Sequence, residues 1–238
     1  MRRYWIQKSQ IFQNADSTQV VQFSGDQFHH IFEVCRQEVG HHFEVISEDS
    51  KAYLVKVLER GKKNARAQVV EERVIASLPR PHIHIALSIS RYPVMDAIVE
   101  KAVEMGVTSI LPFCSDYSFI RQTGHLPAGK IERWGKIIVS ATQQSGRGEL
   151  MAIENPCDWS ELLKKVREEK GFSLHEIGLS LKINPKILRQ IEDGEQNNLP
   201  AKTFLRGFVQ SYANYLKLDS DEVLKIFSEE MGSTKPKS

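Results

Sequence analysis

The chain has 238 residues, of which 41% are apolar and 26% charged, a composition typical of globular proteins rather than disordered or membrane-embedded chains. A formal net charge of +2 excludes a uniformly cationic nucleic-acid binder, so any such function must rest on local patches. The scattered cysteines Cys35, Cys114 and Cys157 exclude a disulfide framework and predict a cytoplasmic protein. We expect neither a signal peptide nor a membrane span, because no apolar run reaches about 18 residues.

Residues 1–76 are predicted to form a small β-barrel. The stretches HHFEVIS and AYLVKVLE carry Val, Ile, Tyr and Phe in partial alternation, and the polar turn EDSK separates them. RGKKNARAQVVEERVI continues the pattern with a basic turn between apolar strands. Several short strands at this spacing favour a barrel.

Residues 80–157 are predicted to form an α/β segment after a proline-containing linker, LPRPH. The order IHIALSI, VMDAIVEKAVEM and VTSILPF indicates strand, helix, strand, which is typical of a βαβ unit. Gly106 lies where a helix C-cap is expected. A second helix is predicted over KIERWGKIIVSATQQSG. One face of the first helix carries apolar residues at helical spacing, namely Met95, Ile98, Val99, Ala102 and Val103.

Residues 158–231 are predicted to be an all-α helix-turn-helix module, followed by a disordered tail over 232–238. Ser173 and Glu176 have the spacing of a capping box. Asn184 followed by Pro185 predicts a second helix start, and Gly194 its end. Two longer amphipathic helices are expected over AKTFLRGFVQSYANYLKL and SDEVLKIFSEEM.

Several motifs of the first two segments occur in the order found in one enzyme family. MRRYW, FHHIFEVCRQEVGHHFEVIS and AYLVKVLE resemble a PUA-like RNA-binding domain. MDAIVEKAVEMGVTSILPFCSDYSFIR and RWGKIIVSATQQSGR resemble the first half of a SPOUT methyltransferase domain. Residues 1–157 therefore resemble the bacterial RsmE family, which methylates N3 of a uridine in 16S ribosomal RNA with S-adenosylmethionine. The resemblance implies family site positions at Glu104, Arg121, Gln144 and Arg147.

The chain departs from that family in two ways. SRYPVMD replaces a Lys-Gly-rich turn, Met105 stands in place of the family's leucine, and Gln143 stands in place of its glutamate. After Gly148 the chain lacks the family's Gly-Pro-Glu-Gly-Gly loop and the knot that holds the cofactor, and a cofactor lying against backbone requires glycine. We therefore expect no bound cofactor and no catalysis by this chain alone, the alternative being a site completed elsewhere. Its later glycines lie singly in the helical segment, at Gly171, Gly178, Gly194, Gly207 and Gly232.

Two groups of basic residues predict contact with ribosomal RNA. They are Arg2 and Arg3 at the start and Arg60, Lys62, Lys63 and Arg66 around one turn. If all six met phosphate, log affinity would fall with log salt at a slope of about −5. The alternative is that the turn is merely solvated.

The histidine pairs His29–His30 and His41–His42 raise the question of a metal. Neighbouring residues on a strand point to opposite faces and make poor joint ligands, so no metal site is predicted.

The third segment resembles the cytoplasmic helix-turn-helix of RodZ, which links the actin-like filament protein MreB to the cell envelope. The resemblance rests on LPAKTFLRGFVQSYANYLKLD. It implies a filament partner, and we expect no direct membrane insertion. A DNA-binding module would instead place Lys186, Arg189 and Gln190 in the major groove. DNA is the less favoured alternative, because Glu192 and Asp193 share that helix and the segment has equal numbers of basic and acidic residues.

Protein binding is favoured by an aromatic stripe on the following helix. Its members recur at helical spacing and are Phe204, Phe208, Tyr212 and Tyr215. We expect Phe208 and Tyr212 to lie in the core and one edge aromatic to suffice for a partner.

The sequence thus predicts an α+β multidomain protein with a barrel, a truncated α/β half and a helix-turn-helix. The function is either ribosomal-RNA binding derived from a methyltransferase or an interaction adaptor. A truncated sheet exposes apolar surface, so we expect the helices from 158 onward, or self-association into a homo-oligomer, to cover it.

Overall fold

The computed structural model describes residues 2–14, 16–115, 118–193 and 199–232. The chain divides into two compact units whose ranges interleave along the sequence. Both contain helices and strands, in agreement with the predicted mixed class. The domain boundaries given above stay predictions. The first unit comprises Met1–His84, Asp96–Ile110 and Ile131–Ala152, and the second comprises Ile85–Met95, Leu111–Lys130 and Ile153–Ser238.

The N-terminal segment forms a six-stranded sheet with one short helix. Its elements are β1 (Arg3–Ile6), β2 (Ile11–Gln13), β3 (Gln19–Ser24), α1 (Gly25–Phe28), β4 (His42–Ser47), β5 (Lys51–Arg60) and β6 (Asn64–Val74). The strand order is β1-β4-β5-β6-β3-β2, with β1 and β4 parallel and the other pairs antiparallel. Since β1 and β2 are the two ends of this order, the observed pairing is that of an open sheet, and closure into a barrel stays a prediction.

Alternation along the strands produces the core of this sheet. Phe43 and Val45 of β4 are fully buried, as is Val55 of β5. Successive strand residues point to opposite faces, so every second side chain reaches the same core. Irregular registers in the β5–β6 ladder, at Leu54/Val55 and Val57/Glu59, increase the local twist.

A helical segment interrupts the region that the sequence indicated as β-rich. After α1 the chain continues as a π-helical turn, His29–Val34, because Phe28, Ile31 and Phe32 recur at helical spacing and are buried together. The strand argument against a metal was therefore wrong for His29 and His30, which lie on this turn. Among the described residues no group of three or more His, Cys, Asp or Glu side chains is arranged to hold a metal ion.

A second sheet carries the α/β part of the chain. Its elements are β7 (His84–Ser88), α2 (Tyr92–Glu104), β8 (Ser109–Cys114), α3 (Ala128–Ser145), β9 (Ala152–Ile153) and β10 (Cys157–Asp158). The strand order is β10-β8-β7, and β9 also pairs with β8. The predicted strand, helix, strand order is confirmed. In the described part of the chain, the two strands that the sheet gains after α3 are two residues long each, and β10 pairs in parallel with β8.

The predicted apolar face of α2 is confirmed. Met95, Val99 and Val103 are buried at helical spacing, whereas Met105 at the end of the face is exposed. Gly106 follows with a φ of 80°, the left-handed conformation that suits glycine after a helix.

Within the described residues five helices follow β10, in agreement with the all-α segment that the sequence predicted. They are α4 (Trp159–Glu169), α5 (Leu174–Leu181), α6 (Pro185–Glu192), α7 (Lys202–Tyr215) and α8 (Ser220–Gly232). Ser173 and Glu176 form the predicted capping box, since Ser173 Oγ accepts from the Glu176 amide at 3.2 Å and Glu176 Oε2 accepts from the Ser173 amide at 2.8 Å. Asn184 Oδ1 accepts from the Lys186 amide at 2.9 Å. Gly194 and residues 233–238 lie outside the described residues. None of the described helices is both long and apolar enough to cross a bilayer.

These helices share one hydrophobic core with the second sheet. Leu111 and Phe113 of β8 and Cys157 of β10 lie in a single buried cluster with helix residues such as Leu163 and Val209. The expectation that the helices from 158 onward cover the truncated sheet is therefore confirmed. Burial raises the pKa of the Cys157 thiol to about 11, so this side chain acts as a small apolar group at neutral pH.

A buried polar network ties α4, α6 and α7 together. Arg167 donates from Nε and Nη2 to the two carboxylate oxygens of Glu192, at 2.7 and 3.0 Å. Tyr212 donates its hydroxyl to the same carboxylate. The Glu192 side chain is 2% exposed and that of Arg167 is 11% exposed. Burial, with the Glu192 carboxylate beside it, raises the pKa of Tyr212 well above its ordinary value, so the hydroxyl remains a donor.

Replacing Glu192 by Ala is expected to lower the free energy of unfolding by about 3–5 kcal/mol, because it leaves the Arg167 guanidinium buried without its partner. Urea denaturation followed by circular dichroism measures this. Asp193→Ala is the matched control, since it removes the same charge from the neighbouring exposed residue. Equal stability of the two variants would contradict the structural role of the network.

Candidate functional site

The basic turn of the first unit lies at the tip of the β5–β6 hairpin. Arg60, Lys62 and Lys63 are exposed there, and the Gly61 amide donates to the Asn64 carbonyl at 2.8 Å to close the turn. Arg66 lies on the return strand β6, with its Nε 3.3 Å from Glu59 Oε1 in an exposed ion pair. The hairpin thus presents a cluster of cations to solvent, and the exposed pair holds Arg66 only weakly.

Arg3, predicted to bind RNA, has a structural partner instead. Its Nε donates to Glu44 Oε1 at 3.0 Å, and Arg73 donates to both oxygens of the same carboxylate at 2.9 Å. Glu44 is largely buried, so the prediction of Arg3 as a free phosphate ligand is not supported by its placement. Arg2 is exposed and donates to the Cys35 carbonyl at 3.2 Å.

Arg3 also explains one glycine of the motif that closes α3. Gly146 has a φ of 74°, and a side chain there would place Cβ 2.8 Å from an Arg3 guanidinium nitrogen. The backbone conformation favours glycine here, whereas the nearby Arg3 guanidinium is the far end of a flexible side chain that can shift. This part of the ATQQSGR motif is structural.

Arg147 is buried rather than open to a ligand. Its Nη1 donates to the carbonyls of Val107 at 2.9 Å and Val103 at 3.4 Å, groups at and just beyond the C-terminal end of α2. Burial lowers the pKa of this guanidinium from its ordinary value. A cation at the C-terminal end of a helix is favourable because the last carbonyls lack partners within the helix. That Arg147 faces an active site stays a prediction.

The other family positions do not assemble with it. Glu104 forms an exposed ion pair with Lys101 at 2.7 Å, and Gln144 is exposed on α3. Arg121 is exposed in the second unit. No hydrogen bond or ion pair within the described part of the chain joins any two of Glu104, Arg121, Gln144 and Arg147.

The three residues proposed to contact DNA bases differ in their exposure. Lys186 and Arg189 of α6 are exposed, but Gln190 is buried and unavailable to a base edge. Glu192 on the same helix is buried and paired with Arg167, whereas Asp193 is exposed.

The aromatic stripe of α7 runs from solvent into the core. Phe204 is 66% exposed, whereas Tyr212 is fully buried. Phe208 is partly buried, and Tyr215 meets Phe172 edge to face with ring centroids 5.3 Å apart. The expectation of core aromatics with one exposed at the edge is confirmed.

Sequence reasoning missed one cluster in the second unit. Tyr92 and Phe119 meet edge to face with centroids 5.4 Å apart, and Lys130 Nζ lies 4.0 Å from the centroid of the Tyr92 ring. The only signal was the replacement of a Lys-Gly-rich turn by SRYPVMD, which introduces Tyr92.

Two family models match the chain. One described as an RNA methyltransferase domain matches residues 77–198, and one described as an RNA methyltransferase PUA domain matches residues 23–70. The first match continues past residue 157 into the helical segment. Both agree with the resemblance that the sequence motifs indicated.

Curated relatives and solved structures agree with these matches. The ribosomal RNA small subunit methyltransferase E of Aquifex aeolicus (strain VF5) is 34% identical over 138 residues, which are 58% of this chain and 58% of the relative. The protein of that name from Bacillus subtilis (strain 168) is 24% identical over 169 residues, 71% of this chain and 65% of the relative. The Neisseria gonorrhoeae protein, solved bound to S-adenosyl methionine, is 26% identical with a TM-score of 0.58, over 69% of this chain and 65% of that one. The chain thus spans 58 to 65% of the length of these relatives.

The described residues do not fit S-adenosylmethionine. After β10 the chain is helical, and its described glycines serve helices: Gly171 follows α4, Gly207 lies within α7, and a Cβ at Gly178 would meet the Ile183 carbonyl at 2.8 Å. No two glycines are adjacent there, so this part of the described chain offers no backbone cradle for an extended cofactor.

Arg147→Ala is expected to lower the free energy of unfolding by about 1.5–3 kcal/mol, because two carbonyls lose a charged hydrogen-bond donor. RNA affinity should not change. Denaturant titration and an RNA-binding assay on the same preparation measure both. Gln144→Ala, an exposed position on α3, is the control. Unchanged stability together with lost RNA affinity would show that Arg147 contacts a ligand.

Proposed function

This chain belongs to the RNA methyltransferase family, and we propose from that premise that it binds ribosomal RNA of the small subunit without a complete cofactor site of its own. The observation that carries the proposal is the basic hairpin tip. Arg60, Lys62 and Lys63 are exposed and form no ion pair with a described residue, and they lie in the segment matched by the PUA model. Cations held on a rigid hairpin attract a phosphate backbone without reading its sequence.

The names of the relatives support ribosomal RNA as the target. Those of Aquifex aeolicus and Bacillus subtilis are called ribosomal RNA small subunit methyltransferase E. An RNA-binding surface does not depend on the cofactor site, because phosphate attraction requires only positioned cations. Such a surface can therefore be shared by a protein that does not catalyse methyl transfer. A target on the ribosome also supports the cytoplasmic location expected from the cysteine pattern.

Methyl transfer by this chain alone is not part of the proposal. The chain lacks an adjacent-glycine loop after Gly148, and Arg147 serves a helix end. Activity, if the chain takes part in it, would depend on another chain that supplies the cofactor wall, with Glu104, Arg121 and Gln144 as the remaining exposed family positions.

A second proposal concerns the C-terminal helices. Phe204 projects from α7 with 66% of its surface exposed, and an exposed aromatic is a typical hot spot for a protein partner. We propose that this module binds a protein, the actin-like filament protein implied by the RodZ resemblance being the first candidate. DNA is less favoured because Gln190 is buried, which leaves only Lys186 and Arg189 of the three reading positions.

The double variant Lys62→Ala/Lys63→Ala is expected to weaken binding to small-subunit ribosomal RNA. It should also reduce the slope of log affinity against log salt by roughly 2, since each phosphate contact contributes about 0.9 on a duplex. Fluorescence anisotropy with labelled RNA at several salt concentrations measures the slope.

The control is Lys164→Ala/Lys170→Ala, which removes two exposed lysines at α4 and its C-terminal end. This variant should keep the wild-type slope. Identical slopes for the wild type and the Lys62/Lys63 variant would refute the hairpin as the RNA contact.

A further inference from the structure

An exposed aromatic ring of the second unit packs against another aromatic ring. Phe119 is 52% exposed, yet its ring meets the Tyr92 ring at an interplanar angle of 84°. Lys130 in turn lies over the Tyr92 ring, 4.0 Å from its centroid. Edge-to-face contact fixes one ring against another while leaving a face of the outer ring uncovered.

Hydrogen bonds connect Ser118 and Phe119 to β7 and the residue after it. The Phe119 amide donates to the Ile89 carbonyl at 2.9 Å. Ser118 is buried next to it, and its hydroxyl accepts from the Ser115 amide at 2.9 Å and lies 2.7 Å from the Ser88 hydroxyl. These bonds position the Phe119 backbone beside β7.

Cations lie close to these two rings in the sequence. Arg121 is two residues after Phe119, and Arg91 precedes Tyr92; both are exposed. Neither they nor Lys130 forms an ion pair with a carboxylate of a described residue. An exposed aromatic face with unpaired cations beside it is the combination that binds single-stranded nucleic acid, because bases stack on the ring and phosphates meet the cations.

We propose that Phe119 is a stacking platform for an unpaired RNA base, with Arg121 and Lys130 available to the adjoining phosphates. This inference rests on the proposed RNA binding and adds its substrate class, single-stranded or looped RNA. In a duplex the bases cover one another, so a ring gains contact only with a base that has left the stack. The hairpin cations of the first unit bind either form, whereas Phe119 selects the unpaired one.

The test compares Phe119→Ala with the wild-type full chain on a short oligouridine and on an RNA duplex of equal length. Phe119→Ala should weaken oligouridine binding about five- to 150-fold, the range measured for removal of one base–aromatic stack. It should leave duplex binding unchanged. Phe119→Trp should restore oligouridine binding, which a purely structural role of Phe119 would not predict. Leu179→Ala, which removes an exposed apolar side chain from α5, is the control and should bind like the wild type.

The outcomes separate this inference from the proposed function. Wild-type affinity of Phe119→Ala for oligouridine, with Lys62→Ala/Lys63→Ala still weakened, would overturn the platform and leave RNA binding intact. Equal losses on oligouridine and duplex, or an equal loss in Leu179→Ala, would also overturn it. Absence of RNA binding by the wild type would overturn the proposed function and this inference together.

Discussion

The second half of the chain depends on one physical requirement, the burial of the apolar side of β8 and β10. Leu111 and Phe113 alternate out of β8 and Cys157 out of β10, and strands this short cannot bury them by themselves. The helices α4–α8 supply the missing partners in one continuous core. Each large side chain buried in this way contributes about 1.5–3 kcal/mol. The Arg167–Glu192–Tyr212 network then fixes which faces of the helices meet.

That solution for stability has a functional consequence. The chain turns into helix directly after β10, and its described later glycines lie within helices or directly after them. In the first unit the Arg147 guanidinium binds carbonyls at the end of α2. Among the described residues, the exposed groups include positive charge at the β5–β6 hairpin and aromatic surface at Phe119 and Phe204.

Features that depend on residues close together in the sequence were predicted correctly, whereas contacts between residues far apart in the sequence were not. The caps at Ser173 and Asn184 and the face of α2 depend on residues three or four apart, so spacing alone predicts them. The π-helical turn at His29–Val34 was hidden because its aromatic and β-branched residues are also typical of strands. The partners of Arg3, Arg147 and Glu192 lie between 20 and 44 residues away in the chain, so spacing alone could not predict them. The contacts of Phe119 with Ile89 and Tyr92 are likewise distant in sequence, and no local pattern predicts them.

The central claim is that this chain binds RNA through surface charge and has no cofactor site of its own. Isothermal titration of S-adenosylmethionine into the purified full-length protein tests it most directly. The account predicts no heat of binding, since no described backbone segment after β10 can cradle the cofactor. Saturable binding at micromolar concentration would contradict it, and the family's methyl-transfer activity would then become the first hypothesis for this chain.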